Sequence, residues 1–204
     1  MPLQRERPEL VLASASTARA MLLAGAGLAF AVHPAIFDEP SVREDARGRG
    51  LNARETALLL AAGKAEAVSR ERPEALVIGG DQVLVCGDVW FTKSAGRAEA
   101  ADQLRALRGR THRLLTAVAC RRAGEPGWEA VEEARVTFRD YSDALLEAVL
   151  EADGGAIGAS VGSYRLEGPG VQLCERIEGD HSSILGLPLL PLLRHLRARG
   201  VLLD

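Results

Sequence analysis

Ala75-Leu-Val-Ile-Gly-Gly-Asp81-Gln82-Val-Leu-Val-Cys86 is the stretch on which the fold turns. Leu76, Val77 and Ile78 form a short unbroken apolar run bounded by glycine, the pattern of a fully buried strand rather than of a helix. Gly79 and Gly80 carry no Cβ, so another backbone, a metal ion or a ligand can come close just ahead of Asp81. Val83 to Cys86 resumes the strand pattern, and Gly87-Asp88 closes a hairpin onto Val89-Trp90-Phe91. Asp81 is thereby expected at a break in a sheet, either offered to a substrate or bonded to its own backbone in an Asx turn.

Upstream, Leu10 to Ala13 predicts a first strand, followed by Ser14-Ala-Ser16-Thr17 and a helix bearing Met21, Leu22 and Leu23 that Gly25 and Gly27 stop. Hydroxyls between a strand and a helix cap the free N–H groups, and the same N–H groups can hold a phosphate. Arg19 in the first turn adds a planar guanidinium suited to phosphate oxygens. Phe30 to Val32 predicts a second strand. Asp38-Glu39-Pro40 then reads either as a solvated turn or as a carboxylate pair for a hard cation such as Mg²⁺. Residues 41–50, of mixed charge with two glycines, are expected to form a mobile loop.

From Leu51 to about Arg70 the pattern predicts a long helix with Leu58, Leu59, Ala62, Ala65 and Val68 on its apolar face. Lys64 there either snorkels to solvent or aims at a phosphate. Lys93 follows the central hairpin in a loop, and a helix over 97–108 ends at Gly109. Leu114 to Cys120 and Val131 to Phe138 are paired strands, Val136 and Phe138 sharing a face, and Ser142 caps a helix over 143–151 buried through Leu145, Leu146, Val149 and Leu150. Residues 153–170 are glycine-rich but contain Tyr164, Arg165 and Glu167, which suits either a close approach to a planar base or a flexible connector. Val171 to Ile177 is the last expected strand, and a helix runs from Pro188 through Arg199 with His195 as favourable helix-end charge.

Composition limits the function classes. At 204 residues the chain has room for one large α/β domain or two small ones, and its core draws on Ala, Leu and Val, because 47% of residues are hydrophobic and only 4% aromatic. A net charge of -3 argues against a protein that coats nucleic acid. No run approaches the ~20 apolar residues that span a bilayer, and the start of the chain is polar, so a cytoplasmic location without membrane attachment is expected. Cys86, Cys120 and Cys174 form no CxxC pair and read as small core residues.

Taken in order, Leu-Ala-Ser-Ala-Ser (12–16) with Arg19, Asp38-Glu39, Lys64-Ala-Glu-Ala, Gly-Gly-Asp81-Gln82, Lys93, Leu107-Arg-Gly-Arg-Thr111-His112, Gly162-Ser-Tyr-Arg-Leu-Glu167-Gly and Glu178-Gly-Asp180 with Leu185-Gly-Leu-Pro188 resemble the Maf family of nucleotide pyrophosphatases. The resemblance runs from about residue 10 to 200. It implies a single domain over 1–204 with an α/β fold like that of inosine triphosphate pyrophosphatase, a mixed twisted sheet flanked by helices. It further implies a homodimer and metal-dependent hydrolysis of a nucleoside triphosphate, with Mg²⁺, Mn²⁺ or Co²⁺ as the cation. Asp81 resembles the catalytic carboxylate and also a metal ligand, Glu39 the other metal ligand with Asp38 a lesser candidate, and Lys64 and Lys93 the catalytic lysines. Ser14, Ser16 and Arg19 match the triphosphate-binding positions. Gln82 and Glu167 match the base-recognising pair of the branch that acts on 7-methyl-GTP, rather than the branch with Asp-Thr and Gln that takes dTTP and UTP.

The chain departs from the family where Ser16-Thr-Ala-Arg19-Ala20 stands for the usual Ser-Pro-Arg-Arg, where Ala18 stands for a tryptophan common in the 7-methyl-GTP branch, and where Ser94 stands for proline. Of the rival readings, an aspartyl-phosphate phosphatase would want a second acid two residues after Asp81, where this chain has Val83. A nucleotide-binding regulator of septum formation with little turnover is the alternative from a different class.

Overall fold

The computed structural model describes residues 3–203. Among them, seven strands form one mixed sheet in the order β2 (Ala31–Val32), β1 (Leu10–Leu12), β3 (Leu76–Cys86), β5 (Thr111–Arg121), β6 (Trp128–Phe138), β7 (Cys174–Glu178), with β4 (Val89–Phe91) hydrogen-bonded to β3, and helices complete the α/β architecture. The chain clusters into two compact units, the first made of the described residues of Met1–Asp81, Thr116–Glu132 and His181–Asp204, the second of Gln82–Leu115 and Glu133–Asp180. Strands β3 (Leu76–Cys86), β5 (Thr111–Arg121) and β6 (Trp128–Phe138) each contribute residues to both.

In the first unit β1 (Leu10–Leu12) pairs in parallel with β2 (Ala31–Val32) and with β3, Leu10 opposite Leu76 and Leu12 opposite Ile78. Helix α1 (Thr17–Gly25) and the closing helix α7 (Leu189–Ala198) supply Leu23, Leu192 and Leu196 to a core that also holds Leu10, Leu12, Leu76, Ile78 and Val118. Side chains alternate along a strand, so Val77, Gly79 and Asp81 share one face and Ile78 and Gly80 the other. The expected break does not exist: β3 runs without interruption through both glycines and Asp81. The pair Gly79-Gly80 mimicked a turn because its reason lies in another element.

Residues 41–50 are another correction. They belong largely to a helix, α2 (Glu39–Gly48), capped by Asp38 and opened by Pro40. Only Ala46 is buried on it, so its sequence shows no apolar stripe, and its caps rather than its periodicity mark it as helical. Helix α3 (Ala53–Glu71) begins where expected, but its buried stripe is Ala57, Leu60, Ala61, Lys64, Ala65 and Val68, with Leu58, Leu59 and Ala62 half-buried. His195 corrects the helix-end reading: its ring stacks on Trp128 with centroids 4.3 Å apart, and burial lowers its pKa, which disfavours the charge.

The second unit contains the hairpin of β3 with β4 (Val89–Phe91), Cys86 opposite Val89. Helices α4 (Arg97–Leu107) and α5 (Asp143–Asp153) pack together, burying Leu104, Leu107, Leu146 and Leu150, while Leu145 stays half-buried. Residues 154–159 and 169–173 are 3₁₀ helices, so Val171 lies in a helical turn and the last strand, β7 (Cys174–Glu178), is shorter than expected. A four-residue helix, α6 (His181–Ile184), follows β7. Cys86 and Cys120 are buried, as expected of core residues, whereas Cys174 is only half-buried. Among the described residues no helix is long and apolar enough to cross a membrane.

Candidate active site

Asn52 fixes the register of α3 through a capping box, its side chain accepting from Glu55 N at 3.0 Å while Glu55 Oε2 accepts from Asn52 N at 2.8 Å. Counting from that start puts Lys64 in the middle of the buried stripe, 7% exposed. Gly79 lets the helix come down onto β3. A Cβ there would lie 2.2 Å from Ala61 O and 2.8 Å from Ala65 N, contacts no side chain can make. Two residues further on the same face, Asp81 meets the lysine. Lys64 Nζ donates to Asp81 Oδ1 at 2.6 Å and lies 2.9 Å from Glu39 Oε1. Neither snorkelling for Lys64 nor an Asx turn for Asp81 describes this pair.

Asp81 is 4% exposed, and its Oδ2 makes no hydrogen bond among the described residues. The nearby cation at that oxygen is Arg43, whose Nη2 is 3.7 Å away and whose Nη1 is also buried without a hydrogen bond. Arg43 escaped the sequence reading because α2 did. Glu39 and Arg43 stand one turn apart with Arg43 Nη2 4.0 Å from Glu39 Oε2, a spacing that the Asp38 cap and Pro40 could have revealed. Asp38 itself is committed to the cap: its carboxylate accepts from Ser41 Oγ at 2.7 Å and Ser41 N at 3.2 Å, which holds its pKa below the usual carboxylate range.

At the end of β1, Ser16 caps α1 by accepting from Arg19 N at 3.4 Å. Ser14 Oγ accepts from Ser16 N at 3.2 Å and from Arg19 Nη1 at 3.0 Å, while Arg19 Nε donates to Gly186 O at 2.8 Å. Gly80 makes room for that guanidinium, since a Cβ on it would sit 3.0 Å from Arg19 Nε. Burial lowers the Arg19 pKa, opposed by the charges of Asp81 and then Glu39. The first unit therefore brings together Ser14, Ser16, Arg19, Glu39, Lys64 and Asp81 and adds Arg43. Three cations against two carboxylates leave the group one positive charge in excess, a field that attracts an anion to a helix N-terminus. Lys93 and Glu167, both exposed, and half-buried Gln82 belong to the second unit.

The two acids also fit a divalent cation. Mg²⁺ is commonly held by one or two carboxylates with water and substrate phosphate completing its shell, and here a buried carboxylate oxygen lacks a hydrogen bond beside the half-exposed carboxylate of Glu39. A set of three or more acidic, His or Cys side chains arranged for a metal is absent among the described residues.

The family model for Maf-like proteins matches residues 9–199. The chain belongs to the Maf family. Its relatives include the nucleoside triphosphate pyrophosphatase of Bradyrhizobium diazoefficiens, 50% identical over 202 residues that make up 99% of each chain. That of Granulibacter bethesdensis is 47% identical over 194 residues, 95% of this chain and 98% of the relative. A protein of Rhizobium etli named 7-methyl-GTP pyrophosphatase is 47% identical over 195 residues, 96% of this chain and 98% of the relative. The Maf membership expected from the ordered motifs thus extends over nearly the whole chain, and the mixed α/β sheet agrees with it.

Proposed function

We propose that this chain hydrolyses a nucleoside triphosphate to the monophosphate and pyrophosphate, acting as a soluble cytoplasmic homodimer in which residues 1–204 work as one domain. The observation that carries the reading is Asp81: one oxygen is fixed by Lys64 while the other is buried, lacks a hydrogen bond and lies among cations. A carboxylate held so can take a proton from a water without first breaking a bond of its own. The water oxygen attacks the α-phosphorus, the bond from that phosphorus to the bridging oxygen breaks, pyrophosphate leaves with the electron pair, and Asp81 holds the proton. Lys64, Arg43 and Arg19 neutralise charge that grows on the phosphoryl oxygens, and the N–H groups behind Ser14 and Ser16 orient the chain of phosphates. Glu39 and Asp81 are the residues that would hold Mg²⁺, Mn²⁺ or Co²⁺, which would supply further charge neutralisation for the triphosphate.

From the family pattern we assign charge neutralisation to Lys93 as well, and base recognition to Gln82 and Glu167. The same pair, together with the Rhizobium etli relative, favours 7-methyl-GTP or a related modified nucleotide as substrate. Pyrophosphate release from canonical and methylated nucleoside triphosphates with Mg²⁺ or Mn²⁺ tests the reading. Asp81→Asn is expected to lose about 10²–10⁴ in turnover while nucleotide binding persists. Wild-type protein that binds nucleotides yet releases no pyrophosphate from any of them would replace the enzyme by a nucleotide-binding regulator.

A further inference from the structure

The glycine-rich segment that carries Glu167 is pinned by three consecutive side chains. Gly162, Ser163 and Tyr164 are buried, and Ser163 is the one non-glycine residue with positive φ among the described residues, at 61°. Such a backbone persists only where its surroundings hold it. Ser163 Oγ donates to Gln103 Oε1 on α4 at 2.9 Å, Tyr164 Oη shares a hydrogen bond of 2.7 Å with His112 Nε2 on β5, and Arg165 donates to Asp153 Oδ1 at the end of α5 through Nη2 at 2.6 Å and Nε at 3.1 Å. Just before them, the backbone at Val161 bridges to that at Lys93. Two residues after Arg165, Glu167 is exposed.

The middle anchor has no acid–base use. His112 is fully buried, edge-on to Phe138 at 4.9 Å and to Tyr164 at 5.5 Å, and its Nδ1 has no hydrogen bond among the described residues. Burial pushes its pKa down to about 4, so the ring is neutral at neutral pH and carries no charge to a substrate. An apolar ring would fill the same space at lower desolvation cost. What the polar pair adds is direction: one hydrogen bond fixes the depth and rotation of Tyr164 against the ring of Phe138, 4.9 Å away between centroids.

We propose that His112 and Tyr164 are a positioning pair that holds the 162–167 segment in the one conformation in which Glu167 reads the base. This rests on the base-recognition role assigned to Glu167 above. The pair acts through the segment and touches no substrate, so its loss should weaken recognition while leaving the chemistry in place.

The test compares Tyr164→Phe, His112→Phe, the double variant and Glu167→Gln with wild type, measuring kcat and KM for 7-methyl-GTP, GTP, dTTP and UTP together with thermal unfolding. Each single pair variant should raise KM for the preferred nucleotide about tenfold with kcat within about twofold, and flatten the ranking of nucleotides. In the double variant both polar partners are gone, so thermal stability should return towards wild type while the flattened ranking stays. Discrimination that recovers along with stability, or that is unchanged by Tyr164→Phe, would show the pair to be structural and overturn the proposal. If His112→Phe fails to fold, Tyr164→Phe alone decides, since it removes a single oxygen. A ranking untouched by Glu167→Gln would instead remove the base-reading role, and the pair's task with it.

Discussion

Replacing Lys64 by methionine keeps most of its aliphatic stem and removes one charge from a buried pair. The lysine and Asp81 are 7% and 4% exposed and 2.6 Å apart. Breaking a buried pair on one side typically costs 3–5 kcal/mol, because the remaining charge stays desolvated without its partner. Two features of the site adjust this figure. Glu39 has a side chain that is 43% exposed, so water replaces the ammonium there at little cost. Arg43 Nη2 at 3.7 Å offers Asp81 a partial substitute, which puts the expected loss near the lower end, about 3 kcal/mol. For a chain of this size each kcal/mol moves the midpoint by roughly 2–4 °C, so Lys64→Met should melt roughly 6–12 °C lower. Adding Asp81→Leu removes the stranded charge as well, and the double variant should regain most of the loss, since an apolar pair of similar volume is often neutral or better. Thermal unfolding followed by calorimetry reads all three proteins, and pyrophosphate release should be lost in both variants. A single variant that loses less than about 1 kcal/mol, or a double variant no more stable than the single one, would refute the claim that Lys64 and Asp81 stabilise each other as a buried pair.

Gly79→Ala should cost about 3 kcal/mol or prevent folding, because its Cβ meets helix backbone that cannot yield, whereas at Gly80→Ala the tight contact is with the Arg19 side chain at 3.0 Å, backbone Ala117 O lying at an ordinary 3.5 Å, and the cost should be about 1 kcal/mol; urea midpoints separate the two. The lowered pKa of His112 implies that the unfolded chain binds a proton between pH 6.5 and about 4 that the native protein does not, so this contribution to stability is full above pH 6.5 and is lost as pH falls through about 4. Wild type should therefore lose about 2–3 kcal/mol more than His112→Phe between pH 7 and pH 4.5 in urea unfolding, and equal losses would show the ring to be protonated in the fold.

How much of this could be read in the sequence depends on where the cause of each feature lies. The buried strand at Leu76–Ile78, the hairpin at Gly87-Asp88 and the serine cap before α1 were legible because each is set by its own residues. Helix α2 was not, since a helix that buries only Ala46 has no periodicity to find, and with it went Arg43. The roles of Lys93, Gln82 and Glu167 rest on the family pattern, for no local rule singles out which lysine meets a phosphate or which side chain reads a base.

The two features that misled a local reading explain one another. A glycine within a strand weakens it, and a lysine within a buried stripe costs desolvation, so each alone suggests a turn or a snorkelling side chain. In the fold, the missing Cβ at Gly79 admits the backbone at Ala61 and Ala65, and that approach brings Lys64, three residues after Ala61, over the strand face. Asp81, two residues after Gly79, returns to that same face and receives the ammonium. Helix period and strand period thus meet at one point, and the closeness of the two backbones excludes water from Lys64 and Asp81. Shifting either residue by one position would turn Asp81 to the opposite face or swing Lys64 off the stripe, leaving a buried charge without its partner. The catalytic carboxylate we propose and the glycine two residues before it are therefore parts of one packing solution.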